Sequence, residues 1–261
     1  MFGVFETPDV WTLVLLCVAA LCAGWVDAVS GGGGLIQLPA LLLALPASAT
    51  VSALGTNKLS SIVGTSAAAV TYNRRAVSDL PTAFPMAASA FVGSALGAAL
   101  ASRIPASAYR PIVFVLLVAA WFYALLRPAF GETERLRWQG RRRHYAAAVA
   151  LGAVIGVYDG ALGPGTGSFL ILVLVGLLGY AFLRASAVAK IVNVGTNLAA
   201  LIVFALGGHV LWLLGAVMAV ANLAGGVLGA RTAVARGSGF VRVVLLTVVA
   251  VLILRVGWSL R

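Results

Sequence analysis

The sequence predicts an all-α integral membrane protein made of two related halves. Hydrophobic residues make up 62% of the 261 positions and charged residues only 10%, whereas soluble domains average about 45–50% apolar and roughly 25% charged. The apolar residues form long runs, separated by short polar segments that carry most of the arginines. Composition and patterning therefore both place the chain in a lipid bilayer.

A shift of 132 residues aligns the two halves without a gap. The chain has only two lysines, Lys58 and Lys190, and the shift places one on the other. We predict a first repeat over 1–128, a linker over 129–143 and a second repeat over 144–261, with the second copy inverted relative to the first. Other aligned pairs are Gly24/Gly156, Asp27/Asp159, Gly31/Gly163, Gly33/Gly165, Gly93/Gly225, Gly97/Gly229 and Arg110/Arg242.

Each half is expected to hold about four full spans and one short helix after a glycine-rich loop. A span needs about 20 apolar residues to cross ~30 Å of hydrocarbon, and the short segments fall below that length. In the first half we predict spans over 10–29, 49–72, 81–102 and 109–126, with a short helix over 35–46. In the second half the spans are 145–161, 185–206, 210–230 and 240–258, with a short helix over 168–178.

The arginine distribution predicts the orientation. If each half crosses five times, twelve arginines collect on one side and four on the other, and both lysines stay within spans. The positive-inside rule then puts the linker in the cytoplasm and both termini outside. Re-entrant short segments would instead make the halves parallel and move Arg74 and Arg75 outside, against the charge bias.

The two lysines are candidate ligands for an anion. Lys58 lies nine residues into its predicted span, ~13 Å deep, where an ionisable side chain costs at least roughly 2.5–3.5 kcal/mol and normally faces a cavity or a partner. A lysine ammonium is a compact charge suited to small oxyanions. The alternative is a structural ion pair with Asp27 or Asp159.

The glycine-rich loops are the second set of candidate ligands. Both lead into a short helix, whose N-terminal N–H groups favour an anion, although glycine also serves tight helix packing. Neither loop is a P-loop, because no Gly-Lys-Ser/Thr follows. The predicted substrate-binding residues from the loops are Gly32, Gly33, Gly34, Gly165, Thr166 and Gly167.

Asparagines and aspartates complete the predicted site. Asn57, Asn193 and Asn197 are near the lysines, and their amides suit an oxyanion or act only as contacts between helices. Asp27 and Asp159 are candidate proton-coupling residues, since a membrane-embedded carboxylate can carry a proton. They could equally be fixed partners of the lysines or caps for the loops.

The sequence points away from other classes of protein. No catalytic set of side chains is recognisable, so an enzyme is not expected, and no metal or cofactor is either. The net charge of +11 is distributed between apolar runs rather than on a basic face, which argues against nucleic-acid binding. The expected partners are a small anion and the lipid bilayer, and a homo-oligomer is left open.

Three blocks of the sequence resemble a known family of membrane transporters. They are GWVDAVSGGGGLIQLP from Gly24, ALGTNK from Ala53 and AVAKIVN from Ala187, with Thr196-Asn197, and they are similar to the sulfite exporter TauE/SafE family. The second copy departs at Pro164 and Ala189, which replace Gly32 and Asn57. The resemblance implies a bacterial inner-membrane secondary transporter that exports sulfite or an organosulfonate. A passive anion channel, or a carrier of another small organic acid, is the alternative.

Overall fold

The structure is a computed structural model that describes residues 9–75, 78–100, 118, 121–122, 131, 133–138, 140, 142–161, 163 and 165–258. Most of the predicted span 109–126 lies outside the described residues, as do Arg103 and Arg110 of the predicted topology. All regular secondary structure in the described part is helical.

Eight α-helices are described. In chain order, α1 to α8 are Val10–Ser30, Gly34–Ala44, Thr50–Arg74, Leu80–Leu100, Arg142–Ala161, Thr166–Val173, Phe182–Leu206 and Trp212–Trp258. A π-helical turn, Leu174–Leu178, continues α6. The long helix α8 is broken at Gly237, where φ is 76° and ψ is −172°, and the break separates the predicted spans 210–230 and 240–258.

Four of these helices are long and apolar enough to cross a membrane: α1, α4, α7 and the stretch Trp212–Val251 of α8. The helices α2 and Thr166–Leu178 are apolar but short, as the sequence predicts. The membrane-protein class and the short helices after the glycine loops therefore agree with the sequence.

The helix starts at Val10, Gly34, Thr50 and Leu80 are each followed 132 residues later by another helix start.

Small residues bring the helices into backbone contact. A Cβ added to Gly93 or Gly97 of α4 would overlap the carbonyl oxygens of Ala153 and Val157 in α5. Glycines are favoured at such crossings because they let membrane helices approach closely. At positions 132 residues away, Gly225 and Gly229 of α8 make the corresponding contacts with Leu21 and Trp25 of α1.

The largest hydrophobic core surrounds α6. Its side chains Leu170 and Ile171 are fully buried and belong to one cluster with Val188 and Val192 of α7. The short helix is therefore enclosed by protein, and the polar backbone at its start is shielded from lipid as the bilayer requires.

A network of polar side chains joins several helices at one end of the bundle, which we call the linker end. The Tyr180 hydroxyl donates a hydrogen bond of 2.7 Å to Asp79, and Thr82 and His144 are bonded at 3.1 Å. Arg184 forms an ion pair with Glu134 of the linker. These contacts bring together the starts of α4, α5 and α7. The backbone N–H of Leu183 also donates to Ser238, which places the break in α8 at the same end.

Candidate anion-binding site

The two glycine-rich loops touch each other. Gly31 ends α1 with a left-handed φ of 78°, and a Cβ at this position would overlap the backbone of Gly167. The Ser168 hydroxyl donates a hydrogen bond of 2.8 Å to the carbonyl oxygen of Ser30. The starts of α2 and α6 are thus held side by side in the middle of the bundle.

Each lysine is paired with the aspartate of the opposite half. Lys58 Nζ lies 2.7 Å from Asp159 Oδ2, and Lys190 Nζ lies 2.9 Å from Asp27 Oδ2. Lys190 also donates to the backbone oxygen of Asp27 at 2.6 Å, and the Thr65 hydroxyl donates to the Asp27 carboxylate at 3.2 Å. Ion pairing, one of the alternatives left open by the sequence, is present for both lysines.

A small polar cavity lies between the loops and the ion pairs. Its volume is about 30 Å³, counted as space open to the centres of water molecules. A single water needs about 10–15 Å³ on this measure, so the cavity has room for a group the size of about two waters. It is lined by Asp27, Gly31, Gly34, Asn57, Lys58, Ser61, Thr65, Asp159, Gly163, Gly165, Thr166, Gly167, Asn193 and Asn197.

Three of the predicted binding residues do not line this cavity. Gly32 packs against Val248 of α8, and Gly33 packs against Ala23 and the Asp27 side chain in α1. Lys190 is fully buried behind Asp27. Gly32 and Gly33 therefore allow close packing of the helices. Lys190 does not reach the cavity, and its positive charge is paired with Asp27, which does line it.

Four lining residues are absent from the predicted site: the glycines Gly31 and Gly163 and the polar residues Ser61 and Thr65. Ser61 and Thr65 are on α3, one and two turns beyond Lys58. A signal for them existed, since the 132-residue shift places Asn193 on Ser61 and Asn197 on Thr65.

The site retains unused hydrogen-bonding capacity. The side-chain oxygens of Asn57 and Asn193 are buried and make no hydrogen bond within the described part of the chain. Each amide carries two donors and one acceptor group, so both side chains have groups available to bond to a ligand in the cavity. By contrast, Thr56 accepts from the backbone of Leu211, and Thr196 donates to a backbone oxygen within α7.

The described residues hold no group of three or more His, Cys, Asp or Glu side chains that could bind a metal ion. His144 bonds to Thr82 and to the backbone oxygen of Arg137 at the linker end.

Comparison with known proteins identifies the family. The model of the sulfite exporter TauE/SafE family matches residues 16–256. The chain belongs to the TauE/SafE family. It is therefore a multi-pass membrane transporter, and members of this family are not enzymes.

Bacterial proteins named as probable membrane transporters align over most of the chain. A "probable membrane transporter protein ORF9" of Sinorhizobium sp is 38% identical over 93% of this chain and 91% of the relative. The "probable membrane transporter protein YfcA" of Escherichia coli K12 is 37% identical over 92% of this chain and 87% of the relative. A "probable membrane transporter protein" of Haemophilus influenzae is 36% identical over 88% of both. No solved structure matches the chain.

Proposed function

We propose that the chain is a secondary transporter that exports small sulfur-containing anions, sulfite or an organosulfonate, across the bacterial inner membrane. The central cavity is the binding site, formed by Lys58, Asn57, Gly34, Gly165, Thr166, Gly167, Asn193 and Asn197. The observation that carries the proposal is a buried lysine, Lys58, on a polar cavity between two helix starts. Helix N-termini and a lysine both favour negative charge.

The size and donors of the cavity support a small oxyanion. A volume of about 30 Å³ excludes a long organic chain from the site itself. Thr166 and the amides of Asn57, Asn193 and Asn197 offer donors around it. The membrane-embedded carboxylates Asp27 and Asp159 are the candidates for coupling transport to protons.

The proposal includes an inverted arrangement of the two halves, and the directions of the helices support this arrangement. Residues 93 and 97 of α4 contact 153 and 157 of α5, so these helices run parallel away from the linker end. Residues 225 and 229 of α8 contact 21 and 25 of α1, so these two run parallel as well, toward the break at Gly237 and the linker end. The 132-residue partners α1 and α5 therefore run in opposite directions.

The orientation follows from the same arrangement. The linker end carries Arg74, Arg142, Arg143, Arg184 and Arg236, so the positive-inside rule assigns it to the cytoplasm. Both termini are then periplasmic. An anion held between the loops would be exposed alternately to the two sides by movement of one copy against the other.

The test is binding and transport by the purified protein. Sulfite, sulfate, thiosulfate and methanesulfonate are titrated into detergent-solubilised protein, and those that bind are trapped in liposomes to measure release. We expect saturable binding of at least one sulfur oxyanion and counterflow driven by the unlabelled anion. Ohmic currents without counterflow would instead identify a channel, and no binding of any of these anions would contradict the proposal.

A further inference from the structure

We propose that Asp159 and Lys58 form an exchangeable ion pair, in which a proton on Asp159 releases Lys58 to bind the anion. This inference rests on the proposed anion site and assigns proton coupling to one of its two aspartates. It also makes the two lysines unequal: Lys58 binds the substrate, and Lys190 holds Asp27 in place.

The two ion pairs differ in their contacts. Lys190 is fully buried and donates to both the backbone oxygen and the carboxylate of Asp27, at 2.6 and 2.9 Å. Lys58 has one short contact, 2.7 Å to Asp159 Oδ2, and a long one of 3.5 Å to the backbone oxygen. Lys58 and Asp159 both line the cavity, whereas Lys190 does not. The Lys58–Asp159 pair can therefore separate so that the Lys58 ammonium contacts a ligand in the cavity and does not enter the hydrophobic core.

Charge balance makes a proton necessary. Two lysines and two aspartates give the empty site no net formal charge. An anion entering this buried site would add an uncompensated negative charge, which is costly away from water. Taking up one proton with each negative charge keeps the site neutral, so anion and proton bind together.

The groups around Asp159 leave few alternative proton acceptors. Asp159 belongs to α5, and the helices α4 and α6 packed against it carry no titratable side chain between 80 and 100 or between 166 and 173. From α3 it faces Lys58, and α7 contributes Lys190, which is engaged by Asp27 of α1. Asp27 already accepts hydrogen bonds from Lys190 and Thr65, whereas Asp159 has Lys58 as its only side-chain partner among the described residues.

The binding step can be written with all charges accounted for. The Asp159 carboxylate takes one proton and becomes a neutral carboxyl group, and Lys58 keeps its positive charge throughout. The ammonium then donates to an oxygen of the anion instead of the carboxylate. On the other side of the membrane the anion and the proton leave, and the Lys58–Asp159 pair forms again.

The experiment measures protons taken up when an anion binds. Methanesulfonate and sulfate remain fully ionised near neutral pH, so a proton taken up on binding belongs to the protein. Uptake is obtained from calorimetric titrations in two buffers with different ionisation enthalpies. For the parent protein we expect about one proton per methanesulfonate and at least one per sulfate, and a methanesulfonate affinity about tenfold lower for each unit of rising pH.

Two matched variants identify the residue. Asp159→Asn should bind the anion with no proton uptake and no pH dependence. The double variant Asp27→Leu with Lys190→Met removes the other ion pair without changing the net charge of the site, so it should still take up about one proton per methanesulfonate. Proton uptake that persists in Asp159→Asn, or anion binding without protons in the parent, would overturn this inference while leaving the anion site intact. Binding of none of the tested anions, sulfite included, would instead refute the proposed function and this inference with it.

A second measurement covers the case in which Asp159→Asn does not fold. Infrared difference spectra of the parent, with and without methanesulfonate, should show a protonated carboxyl band that appears on binding and shifts when aspartate is labelled with carbon-13. A spectrum without that band would overturn the inference.

Discussion

Lys58 and Asp159 are 101 residues apart in sequence and form a buried ion pair of 2.7 Å in the centre of the molecule. The pair links α3 of the first half to α5 of the second, and Lys190 and Asp27 form the reciprocal link. Each half therefore supplies the counter-ion for the other. Removing one partner of such a pair leaves the other charge unpaired in a low-dielectric environment, which is strongly unfavourable.

The first prediction concerns Lys190. Its ammonium is fully buried and has Asp27 as its ion-pair partner, so Lys190→Ala leaves that carboxylate without its counter-charge. Breaking such a pair costs roughly 3–5 kcal/mol, and a value near the lower end is expected because Asp27 is 17% exposed. Thermal unfolding in detergent should show a clear fall in Tm. The double variant Lys190→Met with Asp27→Leu, which removes both charges, should recover part of it. A Lys190→Ala protein as stable as the parent would contradict the assignment.

The contact between the glycine loops gives the second prediction. Gly31→Ala introduces a Cβ that overlaps the backbone of Gly167 and also strains a left-handed φ of 78°. We expect loss of anion binding and a lower Tm, because the two helix starts must separate. Gly239→Ala is the matched control, since a Cβ there meets nothing within 4 Å and alanine favours helix by about 1 kcal/mol. Equal effects of the two substitutions in binding assays would argue against a role for the loop contact.

The third prediction is the topology. In a background with Cys17→Ala and Cys22→Ala, single cysteines replace the exposed residues Arg74 and Arg143. Both should react with a membrane-impermeant thiol reagent only from the cytoplasmic side. Ser48→Cys, exposed between α2 and α3, should react only from the periplasm. Labelling of Arg74→Cys from the periplasm would refute the inverted arrangement.

Tyr180 at the linker end provides the fourth prediction. Burial raises the pKa of its phenol above the usual value, so the hydroxyl remains neutral and donates to Asp79 at neutral pH. Tyr180→Phe should lower the free energy of unfolding by about 1 kcal/mol near pH 7. Because the pKa is raised in the folded state, the parent should lose stability as pH rises above about 10, where the unfolded chain releases its proton. The variant should lose less over that range. An unchanged alkaline profile in Tyr180→Phe would contradict this account.

Much of the fold could be predicted because membrane helices are encoded locally. Run lengths and apolar content gave the long helices and the short helices after each loop. The ends were less certain: the sequence predicted a second-half span starting at 185, and α7 starts at Phe182. The break in α8 at Gly237 lies between the predicted spans 210–230 and 240–258.

The site was predicted only in part, because its geometry depends on contacts between helices that are distant in sequence. Lys58, Asn57 and Asp159 line one cavity, and their positions in apolar spans were sufficient to select them. Which aspartate pairs with which lysine depends on how α3 meets α5, and no local pattern contains that information. No local pattern shows the role of Gly33 either. A glycine is needed at this position for packing against Ala23 and Asp27, and it does not line the cavity.

The most direct test of the account is the affinity of the Lys58→Ala variant for sulfite. Lys58 is the lysine that lines the cavity, and a charge-assisted hydrogen bond is worth roughly 1.5–3 kcal/mol. Calorimetric titration of protein with an unchanged gel-filtration profile should therefore show sulfite binding about ten- to a hundredfold weaker than in the parent. Lys58→Arg should restore little of it, because the guanidinium is planar and larger. Sulfite binding by well-folded Lys58→Ala that is as tight as in the parent would contradict the account and place the anion site elsewhere.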